Sequence, residues 1–307
     1  MNKKWLCLFI ILFSLFFASS CTKKSKKEYD FRIVTIDYSV YDWTMNILGE
    51  KNKDFDVTYL LDNGVDIHSY QPSINDIKAI SSSDLFIYIG GESESWIEDL
   101  SIKNKLCLFD FLENIKDEEI VDGMKDEETD IDEHIWMSLK NAIIFVSVIE
   151  NKICEIDALN KERYKENSEA YIQKLENLDN EYTSSIENSA KDTILVGDRF
   201  PFRYLVDDYN LNYYAAFLGC SSETEASFNT IISLAKKIDE LNLSTILITE
   251  SSNGRIAETI KENTRDKNQN ILVLNSLQSA TSKDYKKGKT YLSIMVENLE
   301  ILKEALK

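Results

Sequence analysis

Between residues 157 and 188 the chain has neither glycine nor proline, and Tyr171, Leu175, Leu178, Tyr182 and Ile186 recur at spacings of 4, 3, 4 and 4. That period is one face of an α-helix. With no breaker inside it, the helix is a rigid spine, and the rest of the chain must be arranged on either side. Before it, apolar runs at 31–36, 57–61, 85–89 and 106–109 alternate with helical patterns at 41–48, from Ser73 through Ile80, at 96–100 and at 137–149. After it, runs at 193–196, 213–217, 245–248 and 271–274 alternate with helices following Pro201, at 227–238, at 256–261 and at 291–306. Several runs are apolar throughout, as strands covered on both faces must be. The expected class is α/β: two βα lobes with mostly parallel sheets, joined by one long helix, with a ligand cleft between them. The expected bounds are 31–150 for the first lobe, 151–190 for the linking helix and 191–307 for the second. Lobes of this kind bind ligands at the carboxyl ends of their strands.

The first 21 residues stand outside this scheme. Lys3 and Lys4 precede an apolar run at 5–17, of signal-peptide length and too short to favour a spanning helix. Ala18-Ser19-Ser20-Cys21 resembles a lipoprotein cleavage box, with Ala18 where Leu is usual. Residues 1–20 are therefore expected to be removed, Cys21 to carry the acyl anchor, and 21–30 to form a tether. That places the protein on the outer face of a bacterial cell membrane, a monomer held by lipid. The net charge of −18 excludes nucleic acid as a partner. Of the remaining cysteines, Cys107 and Cys154 lie in apolar patterns and are expected to be small buried hydrophobes. With Cys220 they show no CxxC spacing. The acidic stretch 116–133 is expected to be a solvated loop.

The chain has only two histidines. His68 lies in Gly64-Val65-Asp66-Ile67-His68-Ser69-Tyr70-Gln71-Pro72, directly after a strand, and His134 lies in Asp132-Glu133-His134-Ile135-Trp136. A neutral imidazole suits zinc, manganese or iron, and Asp66 is placed to orient the His68 ring. From the residues alone, each histidine reads equally as a hydrogen-bonded loop side chain. No GxSxG, Walker or dinucleotide fingerprint is present, and the carboxylates are too numerous to single out an acid–base pair, so no enzyme is expected.

Taken in order, these motifs resemble those of the zinc/manganese ABC-transporter solute-binding lipoproteins. The stretch 64–73 is similar to their G-x-D-x-H-x-Y/F-x-P-S motif, and Asp132 to Trp136 to their D-x-H-x-W motif. Phe202-Arg203-Tyr204 with Tyr209-Asn210-Leu211, residues 223–227, Leu274-Asn275-Ser276-Leu277, Gly288 and 291–299 follow the remaining pattern. The resemblance implies a metal site between two lobes, small movements on loading, and delivery to a membrane ABC permease. Its first two nitrogen ligands carry over to His68 and His134. Its third falls on Arg199, and where many members have Asp this chain has Asn275. A guanidinium neither coordinates nor deprotonates, so Arg199 must turn away or neutralise a carboxylate. Asp198 and Glu250 are the substitute oxygen ligands expected, each also readable as a salt-bridge or supporting group. The family's histidine-rich loop is here acidic.

The leading expectation is a binder of Zn2+ first and Mn2+ second, carried as cargo to the permease. The alternatives are a binder of the same fold that holds an anion or small organic ligand through Arg199, and a surface adhesin.

Overall fold

The computed structural model describes residues 29–120, 131–219, 221 and 225–307. The leader, the Cys21 anchor site, Cys220 and part of the 223–227 motif lie outside these.

The first half folds as β1 (Phe31–Thr35), α1 (Tyr38–Leu48), β2 (Phe55–Tyr59), α2 (Ile74–Ser81), β3 (Leu85–Tyr88), β4 (Lys105–Cys107) and α3 (Leu139–Ile156). Its four strands are all parallel in the order β2-β1-β3-β4. The second half repeats the plan with β5 (Thr193–Phe200), α5 (Arg203–Asp208), β6 (Asn212–Leu218), α6 (Phe228–Leu241), β7 (Thr245–Ile248), α7 (Arg255–Glu262), β8 (Asn270–Val273), α8 (Ser282–Lys286) and α9 (Tyr291–Ala305), in the order β6-β5-β7-β8. In each sheet the second strand lies on one side of the first and the third on the other. A crevice opens at that switch, beyond the carboxyl ends of the strands. The segment at 92–97 is a 3-10 turn rather than the helix expected at 96–100.

The spine is α4 (Lys161–Glu187). All five residues of the expected stripe are buried, and Tyr164 and Ser168 extend it toward the amino end. Its tyrosines are anchored at their tips as well as packed along their rings. Tyr171 donates to Asp42 of α1 at 3.0 Å, and Tyr182 donates to the Met295 carbonyl of α9 at 2.5 Å. Each large side chain buried in this way contributes about 1.5–3 kcal/mol.

One continuous core joins the two halves, running from Ile33 and Trp43 through Leu175 to Leu274 and Leu302. Buried polar links cross between them. The Trp136 indole donates to the Ser276 carbonyl at 2.9 Å, and the Tyr291 hydroxyl donates to the Trp136 carbonyl at 2.8 Å. Both tie α9 and the loop after β8 to the turn that carries His134. Among the described residues no helix is long and apolar enough to cross a membrane.

Candidate metal centre

His68 is set by a local device. Asp66 caps a 3-10 turn, Ile67–Ser69, its Oδ1 accepting from the His68 backbone N–H at 3.1 Å. Ser73 then caps α2 through a reciprocal box with Asp76, which pins the far side of the loop. The ring turns away from solvent, and its Nδ1 faces Ser93 Oγ at 2.9 Å and Glu133 Oε2 at 3.8 Å. Ser93 Oγ can accept here and the Glu133 carboxylate favours an N–H facing it, so the proton is assigned to Nδ1 and the lone pair to Nε2.

His134 is completely buried, against Trp136. Asp132 Oδ1 accepts both its backbone N–H at 2.8 Å and its ring Nδ1–H at 2.9 Å. A carboxylate on Nδ1 fixes the tautomer and leaves Nε2 as the free electron pair, the arrangement that raises a metal-binding imidazole's basicity. Two glycines admit the surrounding chain. A Cβ on Gly91 would fall 2.3 Å from the Glu133 Cδ, and one on Gly219 would fall 2.9 Å from His134 Cε1.

The two Nε2 atoms meet at 3.2 Å. Two nitrogens bound about 2.05 Å from one zinc ion at the tetrahedral angle lie about 3.3 Å apart. Opposed lone pairs at this distance repel unless a proton or a metal ion sits between them. Gln278, in the loop after β8, brings its amide to 3.0 Å from His134 Nε2. A half-turn of that amide presents Oε1 instead, a neutral oxygen donor.

The charges around the pair divide its behaviour. Burial, the neighbouring His134 and Arg199 push His68 down to about 4, with Asp66 and Asp132 only partly opposing them. Burial also pushes His134 down, but Asp132 beside it, with Asp66 and Glu118 nearby, outweighs this and holds it above its ordinary value. The metal-free pair therefore carries one proton at mildly acidic pH, on His134 and directed at His68, where an incoming cation must displace it. Binding is expected to weaken about tenfold per pH unit as the pH falls through the raised His134 value, with one proton released per ion. Zinc titrations in buffers of different ionisation enthalpy check this; uptake with no proton release below neutrality would overturn it.

The expected oxygen ligands are used otherwise. Glu250 accepts from the Ser276 N–H at 2.7 Å and from the N–H and hydroxyl of Ser279, both at 3.2 Å, so it braces the loop that presents Gln278. Asp198 accepts from the Arg199 N–H at 2.8 Å and the Thr249 hydroxyl at 2.9 Å. Asn275 makes a turn, its Oδ1 accepting from the Leu277 N–H at 2.8 Å, and Gln278, three residues on, reaches His134. Among the described residues no third His, Cys, Asp or Glu joins a cluster able to hold a metal. Arg199 neutralises a carboxylate, as one of its two expected options: its Nη1 donates to Asp66 Oδ2 at 3.1 Å.

Of the acidic stretch 116–133, for which a solvated loop is expected, residues 121–130 lie outside the described residues and only the two ends are seen. Glu118, Asp132 and Glu133 at its two ends are buried, and the point where a Gly219 Cβ would stand is 3.2 Å from Glu118 Oε1 as well as close to His134. Cys107 and Cys154 are half-buried free thiols rather than fully buried ones. Gln278, Ser93 and Glu118 are not singled out by the sequence, and Glu133 only as part of the 132–136 motif. For Gln278 the only available signal was its place after a strand's carboxyl end.

A family model described as zinc-uptake complex component A, periplasmic, matches residues 33–305. The zinc-binding protein AdcA of Streptococcus pyogenes is 29% identical over 323 residues, covering 98% of this chain and 61% of that protein. The chain thus spans about 61% of that relative's length. The crystal structure of the Zn(II)-bound ZnuA-like domain of Streptococcus pneumoniae AdcA is similar at a TM-score of 0.72 and 26% identity, covering 90% of this chain and 98% of that one. The laminin-binding protein Lmb of Streptococcus agalactiae, described as bifunctional in adhesion and metal transport, is similar at 0.73 and 26%, covering 90% of this chain and all of the other.

Proposed function

We propose that this chain, which belongs to the family of zinc-uptake complex A components, captures Zn2+ between its two lobes and passes it to a membrane ABC permease. The observation that carries this reading is the convergence of His68 and His134 through their Nε2 atoms at 3.2 Å, with each Nδ1 turned toward an oxygen. Gln278 stands beside them as a neutral donor, and water completes the shell. Two imidazoles and an amide favour zinc over manganese, which prefers carboxylate oxygen, so Mn2+ is the second cargo. The proposed organisation is a lobe at 31–150, a linking helix at 151–190 and a lobe at 191–307, lipid-anchored through Cys21 outside the membrane and working as a monomer.

The anion-binding alternative is less well supported, because a carboxylate of the protein already engages Arg199. Adhesion is a second reading, supported by the likeness to a protein described as both adhesin and metal transporter.

The test is a competition titration of Zn2+ against a chromophoric chelator, with the wild type and His68→Ala. Tight, stoichiometric binding by the wild type and a loss of more than about a hundredfold in the variant are expected, since even a partner one bond removed from a metal is worth about 10–100-fold. A wild type that takes no zinc would sink the reading.

A further inference from the structure

We infer that Arg199 is an internal cation that masks Asp66, holding a ready carboxylate out of the metal centre and so setting both its affinity and its choice of ion. The inference rests on the proposed metal-binding function and concerns the same site.

Among the described residues, Asp66 is a carboxylate close to the Nε2 side of the pair, where the ion would sit. Its Oδ1 lies 3.9 Å from His68 Nε2, whereas two atoms sharing a tetrahedral zinc lie about 3.3 Å apart. A shift of about half an ångström would bring it in. Its other oxygen is held by Arg199 Nη1 at 3.1 Å. The two belong to opposite lobes: Asp66 follows β2, and Arg199 stands near the end of β5.

The aim of Arg199 is built into β5. The pairing of β5 with β6 slips register between Val196 and Arg199, and such an irregularity redirects the side chains that follow it. Asp198, the acid next in sequence, is engaged by the Arg199 N–H and by Thr249 instead of by the guanidinium. The side chains of Arg199 and Asp66 are 34% and 23% exposed, so the pair itself adds little stability. Its consequence is for the cleft. With Asp66 engaged, an incoming ion meets two imidazoles, a neutral amide and a nearby positive charge, a set that suits borderline zinc and is poor for manganese. Released, Asp66 adds an anionic oxygen at the moment the opposing charge is gone.

The experiment compares the full-length wild type with Arg199→Met, Asp66→Asn and the double variant, using Zn2+ and Mn2+ separately in chelator competition. Met keeps the apolar stem without the charge, and Asn keeps the Oδ1 that caps the 67–69 turn. Arg199→Met is expected to tighten Zn2+ by about tenfold or more and Mn2+ by a larger factor, narrowing the ratio between them. In the Asp66→Asn background, whatever that change does by itself, Arg199→Met should bring no further gain.

Unchanged or weaker binding in Arg199→Met, or a gain that persists in the double variant, overturns the inference while leaving the zinc reading standing. No binding by any of the four proteins overturns both. If Arg199→Met does not fold, Arg199→Gln gives the same reading.

Discussion

Substitution of His134 by alanine is expected to remove measurable zinc binding and to destabilise the protein by about 3 kcal/mol, a combination that His68→Ala should not produce. Both variants lose one of two imidazole nitrogens. The difference lies behind the rings. His134 is fully buried and holds its Nδ1–H on Asp132, itself buried, at 2.9 Å. Its deletion leaves Asp132 with the His134 backbone N–H but without its ring donor, in a place closed to water. The ring also fills the space between Trp136 and Gly219. His68 is partly exposed and its Nδ1 partner is a serine hydroxyl, so water can replace it at a loss of less than about 1 kcal/mol. His134→Asn separates the two roles. An asparagine amide can stand where Nδ1–H stood, so most of the stability should return while zinc binding stays lost. Paired thermal melts and zinc titrations on the three variants check this. Equal melting losses for His68→Ala and His134→Ala would show that the Asp132 bond does not have the structural weight assigned to it.

The frame was legible because its signals are long or repeated. The α4 stripe extends over several turns, and the strand runs are apolar on both faces, so period alone places them. The structure brings the two histidines together: His68 sits in a capped turn beyond β2, and His134 opens the 135–137 turn with its backbone N–H held by Asp132. The carboxylates expected beside them are engaged elsewhere, and the reason is physical. A carboxylate at the carboxyl end of a strand faces a ligand crevice and the free N–H groups of the next turn at once. For Glu250 and Asp198 the N–H groups are nearer and win. Gln278 went unnoticed because a neutral amide carries no charge signature, and because its direction comes from the loop around it. Asn275 turns that loop, Leu277 passes through the left-handed region at φ 66°, and Glu250 braces it from below. Charge counting does not single out the buried acids at the two ends of 116–133, for a related reason. Acidic composition reports an average, whereas Asp132 and Glu133 are drawn inside by the specific partners His134 and Ser93.

Asp42→Ala is expected to destabilise the protein most at acid pH, with the loss shrinking by roughly 2–3 kcal/mol between about pH 5 and pH 8. Asp42 is buried on α1, where its Oδ1 accepts from the Tyr171 hydroxyl at 3.0 Å and its Oδ2 from the Tyr291 N–H at 3.1 Å. It therefore gathers α1, the spine and the first turn of α9 at one point. Removing it strands two buried donors, each worth about 1–3 kcal/mol. Burial raises Asp42 to about 7, the hydrogen bonds only partly opposing it. The sign follows from that. Between the unfolded value near 4 and the folded value near 7, the folded state binds the extra proton, so raising the pH through this window withdraws stability from the wild type. The alanine variant has no such group and does not follow, so the gap between the two narrows. Asp37, raised to about 6, and Glu94, raised to about 8, remain in both proteins and bias both curves the same way, which is why the difference rather than either curve is diagnostic. Urea unfolding at the two pH values measures it. A gap that widens toward alkaline pH would mean that Asp42 is ionised in the folded protein and that its partners, not its burial, dominate.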